Sequence, residues 1–148
     1  MKTKLLLPLF LLVSLVCFAQ DDHKEKHEQI KALKVSFITT ELSFTAEESE
    51  KFWPVYNAYE EKQFKIRHDK MRPIFKKIKE TGLDKMTEKD AAGYLDKLEA
   101  ADEELLNLRK KLVADLKPII GSAKILKLKK AEDDFNKKLL DKFKEKKQ

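Results

Sequence analysis

Residues 45–62 read TAEESEKFWPVYNAYEEK, and this stretch decides the fold class. Thr45 is followed three residues later by Glu48, and this spacing forms a capping box, in which the hydroxyl and the carboxylate satisfy each other's backbone N–H groups. Good helix formers follow, and yet Pro54 stands beside Trp53, the only tryptophan of the chain. The sequence therefore predicts a helix that begins at Thr45 and holds a proline in its most aromatic turn.

Pro54 is expected to disturb that helix. It has no N–H to donate to the carbonyl of Glu50, and its ring crowds that carbonyl. We therefore expect a helix kink at Pro54, in the form of a bend or a restart.

The aromatic side chains around the proline fall on two faces of the predicted helix. At ~100° per residue, Phe52, Tyr56 and Tyr59 share one face, whereas Trp53 and Phe64 lie about 100° further round. Two interpretations stay open. One face fills the core while the other meets a partner, or all five rings belong to the core.

The rest of the chain also predicts helices, because apolar residues recur at helical spacing and only three glycines and four prolines interrupt them. We expect a first helix over about 24–40, a second from Thr45 to about Glu80, a third that begins at Thr87, and a fourth capped by Ser122. Further interruptions are expected at Pro73, Gly82, Pro118 and Gly121.

The predicted helix lengths indicate an elongated molecule. A helix over about 46–80 is on the order of 50 Å long at ~1.5 Å per residue, whereas a compact chain of this size has a radius of gyration near ~14 Å. We expect an all-α, elongated four-helix hairpin or cradle, with two long antiparallel helices and shorter N- and C-terminal helices. Its uncovered apolar faces favour a homodimer.

Residues 1–19 have the layout of a secretory signal peptide, with two lysines, an apolar run and a small residue at the end. We expect cleavage after Ala19 and a single-domain mature chain over 20–148. The apolar run is shorter than the ~20 residues that span a bilayer, so a retained membrane helix is the weaker interpretation. Acylation of Cys17 is a further alternative, but Val16 stands where a small residue is expected.

Charge and composition argue against catalysis and against nucleic-acid binding. Removal of the signal lowers the net charge from +6 to +4, since it takes away Lys2 and Lys4. The remaining lysines alternate with acidic residues, as on solvated helix faces. The mature chain keeps no cysteine for a disulfide or a thiolate nucleophile. No phosphate loop or serine–histidine motif is present, so we expect no enzyme and no cofactor.

A divalent metal site is the one exception that the sequence leaves open. His23 and His27 are four residues apart, which places both imidazoles on one helix face, where they could bind a metal ion. The alternative is a solvated turn near the mature N terminus. His68 with Met71 is a weaker candidate, because a methionine at helical spacing usually fills a core.

The segment between Glu60 and Lys70 is mostly charged, and apolar residues flank it. Such a mixed basic and apolar surface can hold partly unfolded chains weakly. The alternative is an ordinary hairpin with solvated lysines. The predicted binding surface consists of Phe52, Trp53, Tyr56, Tyr59, Phe64, Lys65 and Arg67.

The segments FTAEE at 44–48 and FWPVYNAY at 52–59 resemble a known family. They are similar to the small exported helical proteins described as sensors of ECF-type sigma factors, within the Spy/CpxP-like group of periplasmic stress proteins and metal sensors. That group has a short L-T-x-x-Q-like element at helix starts, and FTAEE takes this place here. The resemblance implies a four-helix cradle, often an antiparallel dimer, that works in the periplasm without ATP.

Three functions follow as hypotheses. The first is a non-enzymatic periplasmic sensor or modulator of envelope stress that acts through protein contacts in an ECF-type sigma-factor pathway. It requires a membrane-bound signalling partner, because an exported chain cannot reach a cytoplasmic sigma factor. The second is an ATP-independent holdase chaperone for unfolded clients, and the third is a metal-binding sensor that uses the two N-terminal histidines.

Overall fold

A computed structural model of the chain describes the backbone of residues 17–145 and the side chains of residues 28–142 and 144. Within these ranges every residue outside three short connections is helical, and none lies in a strand. The predicted all-α class is therefore confirmed. Most of the predicted signal peptide lies outside the described residues, so its cleavage stays a prediction.

Four α-helices make up most of the described chain. They are α1 (Cys17–Leu42), α2 (Ala46–Lys65), α3 (Arg72–Thr81) and α4 (Glu88–Glu145). A π-helical segment, Ile66–Met71, joins α2 to α3, and a 3-10 helix, Leu83–Lys85, follows α3.

The start of α2 matches the prediction in detail. The Thr45 Oγ1 atom accepts a hydrogen bond from the Glu48 N–H at 3.1 Å, and a Glu48 carboxylate oxygen accepts one from the Thr45 N–H at 2.9 Å. Both halves of the capping box are present. The helix therefore begins where the spacing of these two side chains places it.

Neither Pro54 nor Pro118 ends its helix, although the sequence predicted an interruption at each. α2 continues through Pro54, so the predicted restart is absent and the predicted bend stays a prediction. α4 likewise continues through Pro118, but the predicted interruption at Gly121 is confirmed, because φ there is 74° and two helices meet at a kink. Leu116 and Ile120 are buried on either side of Pro118.

The irregularity falls instead just before Pro73. The Arg72 N–H donates to the Arg67 carbonyl, five residues back, which is the π-helical pattern. Pro73 lies in the first turn of α3, and its ring would crowd the carbonyl of Asp69 in a regular α-helix. In the wider π turn, the Asp69 carbonyl is not in the position that it would have in a regular α-helix.

The turn after α3 follows its predicted chemistry. Gly82 has φ of 78°, and its missing Cβ permits this left-handed conformation directly after the helix. The Asp90 N–H then donates to the Thr87 Oγ1 atom at 3.1 Å, and the Thr87 hydroxyl donates to the Asp90 carboxylate at 2.7 Å. α4 therefore begins at the predicted cap.

The chain divides into two compact units. One contains the residues before Phe44 together with those from Leu128 onward. Within it, the rings of Phe37 and Phe135 have centroids 5.8 Å apart, and the Lys138 Nζ atom lies 4.5 Å from the Phe37 centroid. These contacts join α1 to the last part of α4.

The other unit, Phe44–Lys127, is an antiparallel helical hairpin. One side is the segment from α2 to α3, and the other is the first part of α4. The two sides are antiparallel, because the residue numbers of the contacts fall along α4 as they rise along the segment from α2 to α3. These contacts join Glu48 to Lys124, Tyr59 to Arg109, and Lys70 to Glu104. This pairing brings together the two long helices that the sequence predicted. Within the described ranges, no helix is long and apolar enough to cross a bilayer.

Candidate protein-binding surface

Five aromatic rings pack against one another at the start of α2, and we call Phe44, Phe52, Trp53, Tyr56 and Tyr59 the aromatic cluster. Phe52 has centroids 4.6 Å from Phe44 and 5.1 Å from Tyr56, on which it stacks. Trp53 meets Phe52 edge-on at 4.9 Å. Tilted and edge-on pairs at these distances add to the stabilisation from burial alone.

Three members of the predicted binding surface lie in the core. Phe52, Tyr56 and Tyr59 have exposed fractions of only 0%, 2% and 7%. They therefore cannot offer a surface to a partner in this arrangement, and this part of the prediction is corrected. Trp53 is half-buried, and its indole N–H donates to the Ser49 hydroxyl at 3.1 Å. The cluster thus places one amphipathic ring at the surface.

Lys124 ties the N terminus of α2 to α4. Its Nζ atom lies 2.5 Å from a Glu48 carboxylate oxygen and 5.7 Å from the Phe44 ring centroid. The hydrogen bond from Lys124, followed by the one from the Thr45 N–H, lowers the pKa of Glu48. Both charged side chains of this pair are about one quarter exposed, so water screens them less than it screens a surface pair.

The remaining predicted binding residues lie together at the end of α2 and in the π-helical segment. Phe64 is 52% exposed, and its ring stacks on His68 with centroids 5.2 Å apart. Lys65 and Arg67 are exposed beside it, and no residue of the π-helical segment is buried. The hydrogen bond from Lys65 to Glu61 raises the pKa of Lys65. A half-exposed aromatic ring therefore lies beside two cations, of which Lys65 is paired with Glu61.

Other half-exposed apolar side chains were not predicted as part of the surface. Phe75, Leu95 and Leu106 have exposed fractions of 53%, 57% and 53%. Leu95 and Leu106 are eleven residues apart within α4. Eleven residues make about three full turns of a regular helix, so this spacing is the sequence signal that places the two leucines on one face.

The structure does not test the predicted metal site. The side chains of His23 and His27 lie outside the described residues, so that hypothesis stays a prediction. Among the described side chains, no group of three His, Cys, Asp or Glu residues is placed to hold a metal ion. The His68 Nδ1 atom lies 2.8 Å from an Asp69 carboxylate oxygen.

Comparison with protein families, with curated proteins and with solved structures finds no match to this chain. The resemblance to the Spy/CpxP-like group therefore rests on the segments quoted above and stays a prediction.

Proposed function

We propose that the chain is an exported, non-enzymatic protein that senses or modulates envelope stress by binding other proteins. In this proposal it works in the periplasm as a four-helix cradle and a homodimer. A membrane-bound partner passes its signal to an ECF-type sigma-factor pathway. Neither a cofactor nor a nucleic acid takes part.

One observation carries the proposal, namely the exposed ring of Phe64 between Lys65 and Arg67. Long-range attraction to the two cations speeds encounter with an acidic or partly unfolded chain. Contact with the ring then provides apolar burial that tolerates many sequences. Trp53, which is partly exposed, extends this contact toward the start of α2.

A deletion strain tests the sensor role. Loss of the gene should alter one defined regulon under envelope stress, and Phe64→Ala combined with Arg67→Glu should reproduce the loss. Leu126→Ala is the matched control, because Leu126 is an exposed apolar residue that lies away from these cations. A transcriptome that the deletion leaves unchanged contradicts the proposal.

An ATP-independent holdase is the second candidate, favoured by the half-exposed apolar side chains of the hairpin. The purified protein should suppress aggregation of an unfolding client near equimolar ratio, and Trp53→Ala or Phe64→Ala should weaken that suppression. If several unrelated clients aggregate equally with and without the protein, this candidate is removed.

A further inference from the structure

One ion pair distinguishes the two broad faces of the hairpin Phe44–Lys127. The Lys70 Nζ atom lies 2.5 Å from a Glu104 carboxylate oxygen, so both residues project from the same side of the hairpin. At ~100° per residue, Leu95 and Leu106 lie within about 20° of the direction opposite Glu104 on α4. They therefore project from the other side.

The same side of the hairpin carries two phenylalanines. Phe75 lies about 100° on from the buried Ile74. Leu95 and Leu106 lie about 120–140° on from the buried Ala101 in the same rotational sense. The antiparallel hairpin therefore places these three side chains on one side. Phe64 lies about 100° on from the buried face of α2 in the same rotational sense. Phe64, Phe75, Leu95 and Leu106 thus form one apolar face, and each of these side chains is about half exposed.

These four residues occupy two levels along the hairpin. Phe64 and Leu106 both lie between the Tyr59–Arg109 contact and the Lys70–Glu104 ion pair. Phe75 and Leu95 lie between that ion pair and the turn at Gly82. The two levels are about 16 Å apart at ~1.5 Å per residue.

Charges of opposite sign flank the apolar face. On α3, Arg72 and Lys79 lie about 100–130° round from the buried side of the helix and form a basic margin. On α4, Asp102 and Glu99 lie on either side of Leu95 and Leu106, each within about 40° of both leucines, and we call them the acidic margin. All four are exposed, and none has an ion-pair partner in the described part of the chain.

We infer that this face binds the same face of a second copy of the chain, with the two-fold axis parallel to the hairpin. That rotation places the α2–α3 side of each copy over the α4 side of the other at the same level. Phe64 then meets Leu106 of the second copy, and the basic margin meets the acidic margin. Arg72 comes to the level of Glu99, so the unpaired charges pair across the interface.

The charge pattern favours the inferred axis over the other face-to-face arrangement. A two-fold axis across the hairpin would place the α2–α3 sides over each other with their directions reversed. About the midpoint between the two levels, Glu99 would then face Asp102 of the second copy, and this like-charge pair costs free energy at an interface. Lys79 would come to the level of Glu60. The apolar residues alone fit either axis, because their two levels are interchangeable.

The inference rests on the proposed homodimer and assigns it to the state without a bound partner, because the sensor role uses the same Phe64 ring. Its parallel hairpins differ from the antiparallel dimer that the resemblance implies. A protein partner at Phe64 would have to displace the second copy, so the two occupants compete. Standard interfaces bury roughly 1,200–2,000 Å² in total, which the face and its two margins must supply together.

The oligomeric state is the first test. The protein, produced with its own N-terminal segment so that any processing takes place, should have the mass of a dimer in light scattering. Phe75→Asp or Leu106→Asp should raise the dimer Kd roughly 30-fold or more. Leu126→Asp, an exposed apolar residue away from the face, should leave it unchanged. A monomer at all concentrations overturns both the inference and the proposed homodimer.

The second test reads the orientation of the axis. Cys17 is the only cysteine of the chain, so Cys17→Ser permits single spin labels at Asp84→Cys, by the turn, and at Glu50→Cys, near the far end. The inferred axis predicts label-to-label distances below about 30 Å at both sites. The crosswise axis predicts roughly 40 Å and 60 Å, from ~1.5 Å per residue to the midpoint. Long distances in a dimer overturn the inferred axis and leave the proposed homodimer intact.

A charge exchange provides a third test that does not depend on folding defects. Arg72→Glu or Glu99→Arg alone should weaken the dimer up to about 30-fold, because the two-fold symmetry repeats the exposed pair and each pair contributes up to about 1 kcal/mol. The two together should restore the original Kd, because the pair reforms with its signs exchanged. Lys77→Glu, on the Lys70 side, is the control. Additive weakening in the double variant contradicts the inferred pairing.

Discussion

Pro54 and Pro73 belong to the same continuous helical stretch, and the backbone responds to them differently. The helix α2 continues through Pro54, whereas the turn before Pro73 is π-helical. In a regular α-helix each proline lacks an N–H and crowds the carbonyl four residues back. The difference must come from what surrounds them.

The surroundings differ in burial. Phe52 and Tyr56, two residues on either side of Pro54, are almost completely buried and stack on each other. The segment Ile66–Met71 has no buried residue. Where packing fixes the neighbouring side chains, the helix keeps its register and absorbs the defect. Where the side chains of the preceding turn are at most partly buried, the backbone widens and changes its hydrogen-bond pattern.

Removing the packing near Pro54 should have the largest effect on stability. Phe52→Ala deletes a fully buried ring that contacts Phe44, Trp53 and Tyr56, and should lower the free energy of unfolding by about 3–5 kcal/mol. Urea denaturation measures this loss. Phe64→Ala, which truncates a half-exposed ring beside the π-helical segment, should cost less than about 1.5 kcal/mol. Equal losses would show that burial does not distinguish the two regions.

The prolines themselves give the next largest effect. Pro54→Ala restores a donor for the Glu50 carbonyl inside a helix that already continues through this position, so it should stabilise the protein by about 1–3 kcal/mol. Pro73→Ala should stabilise by less than about 1 kcal/mol, because Pro73 lies in the first turn of α3, where proline is tolerated.

The amide of Arg72 reports whether the π turn depends on Pro73. In Pro73→Ala the segment should return to α-helical pairing, and hydrogen exchange at Arg72 should change while exchange near Pro54 does not. An unchanged Arg72 amide would mean that another constraint holds the π-helical segment.

The sequence predicted the helix ends well because caps are local. Thr45 with Glu48, Thr87 with Asp90, and Gly82 each act through neighbours within a few residues, and each lies where it was predicted. The effect of Pro54 and Pro118 could not be predicted in the same way. It depends on which side chains another helix buries, and that information is not local.

The candidate surface shows the same limit. Helical periodicity separated Phe64 from Phe52, Tyr56 and Tyr59, and burial follows that separation. Phe75 and Leu106 belong to this surface because they lie on the side of the hairpin opposite the Lys70–Glu104 pair. Only the paired helices define that side, so the sequence alone could not assemble the face.

The capping box gives a smaller effect on the same helix. Thr45→Ala removes the acceptor of the Glu48 N–H and should cost about 1 kcal/mol in urea denaturation. Thr87→Ala at the start of α4 should cost somewhat less. The Thr87 hydroxyl accepts a hydrogen bond from the Asp90 N–H, but the Asp90 carboxylate bonds the Thr87 hydroxyl instead of the Thr87 N–H. This cap therefore satisfies one backbone N–H where the cap of α2 satisfies two. A larger loss at Thr87 would contradict the importance of the reciprocal bond.

The smallest expected effect is a pH dependence centred on Glu48. The hydrogen bonds from Lys124 and from the Thr45 N–H lower the pKa of this carboxyl in the folded protein. The stability that the carboxylate contributes is therefore present above its ordinary pKa of about 4.3 and is lost as the pH falls through the lower folded value. The urea midpoints of the wild type and Glu48→Gln should differ at pH 6 and converge only as the pH falls below the ordinary value and through the lowered pKa of the folded carboxyl.

Glu47→Gln is the matched comparison for that titration. The hydrogen bond from Lys51 lowers the pKa of Glu47 too, but both of those side chains are mostly exposed. Salt should therefore abolish the pH-dependent difference for Glu47→Gln at a lower concentration than for Glu48→Gln, because solvent screens the exposed pair more strongly. If both differences disappear at the same ionic strength, the partial burial of Glu48 and Lys124 does not protect their interaction, and the cap of α2 is no better shielded than the open surface of the helix.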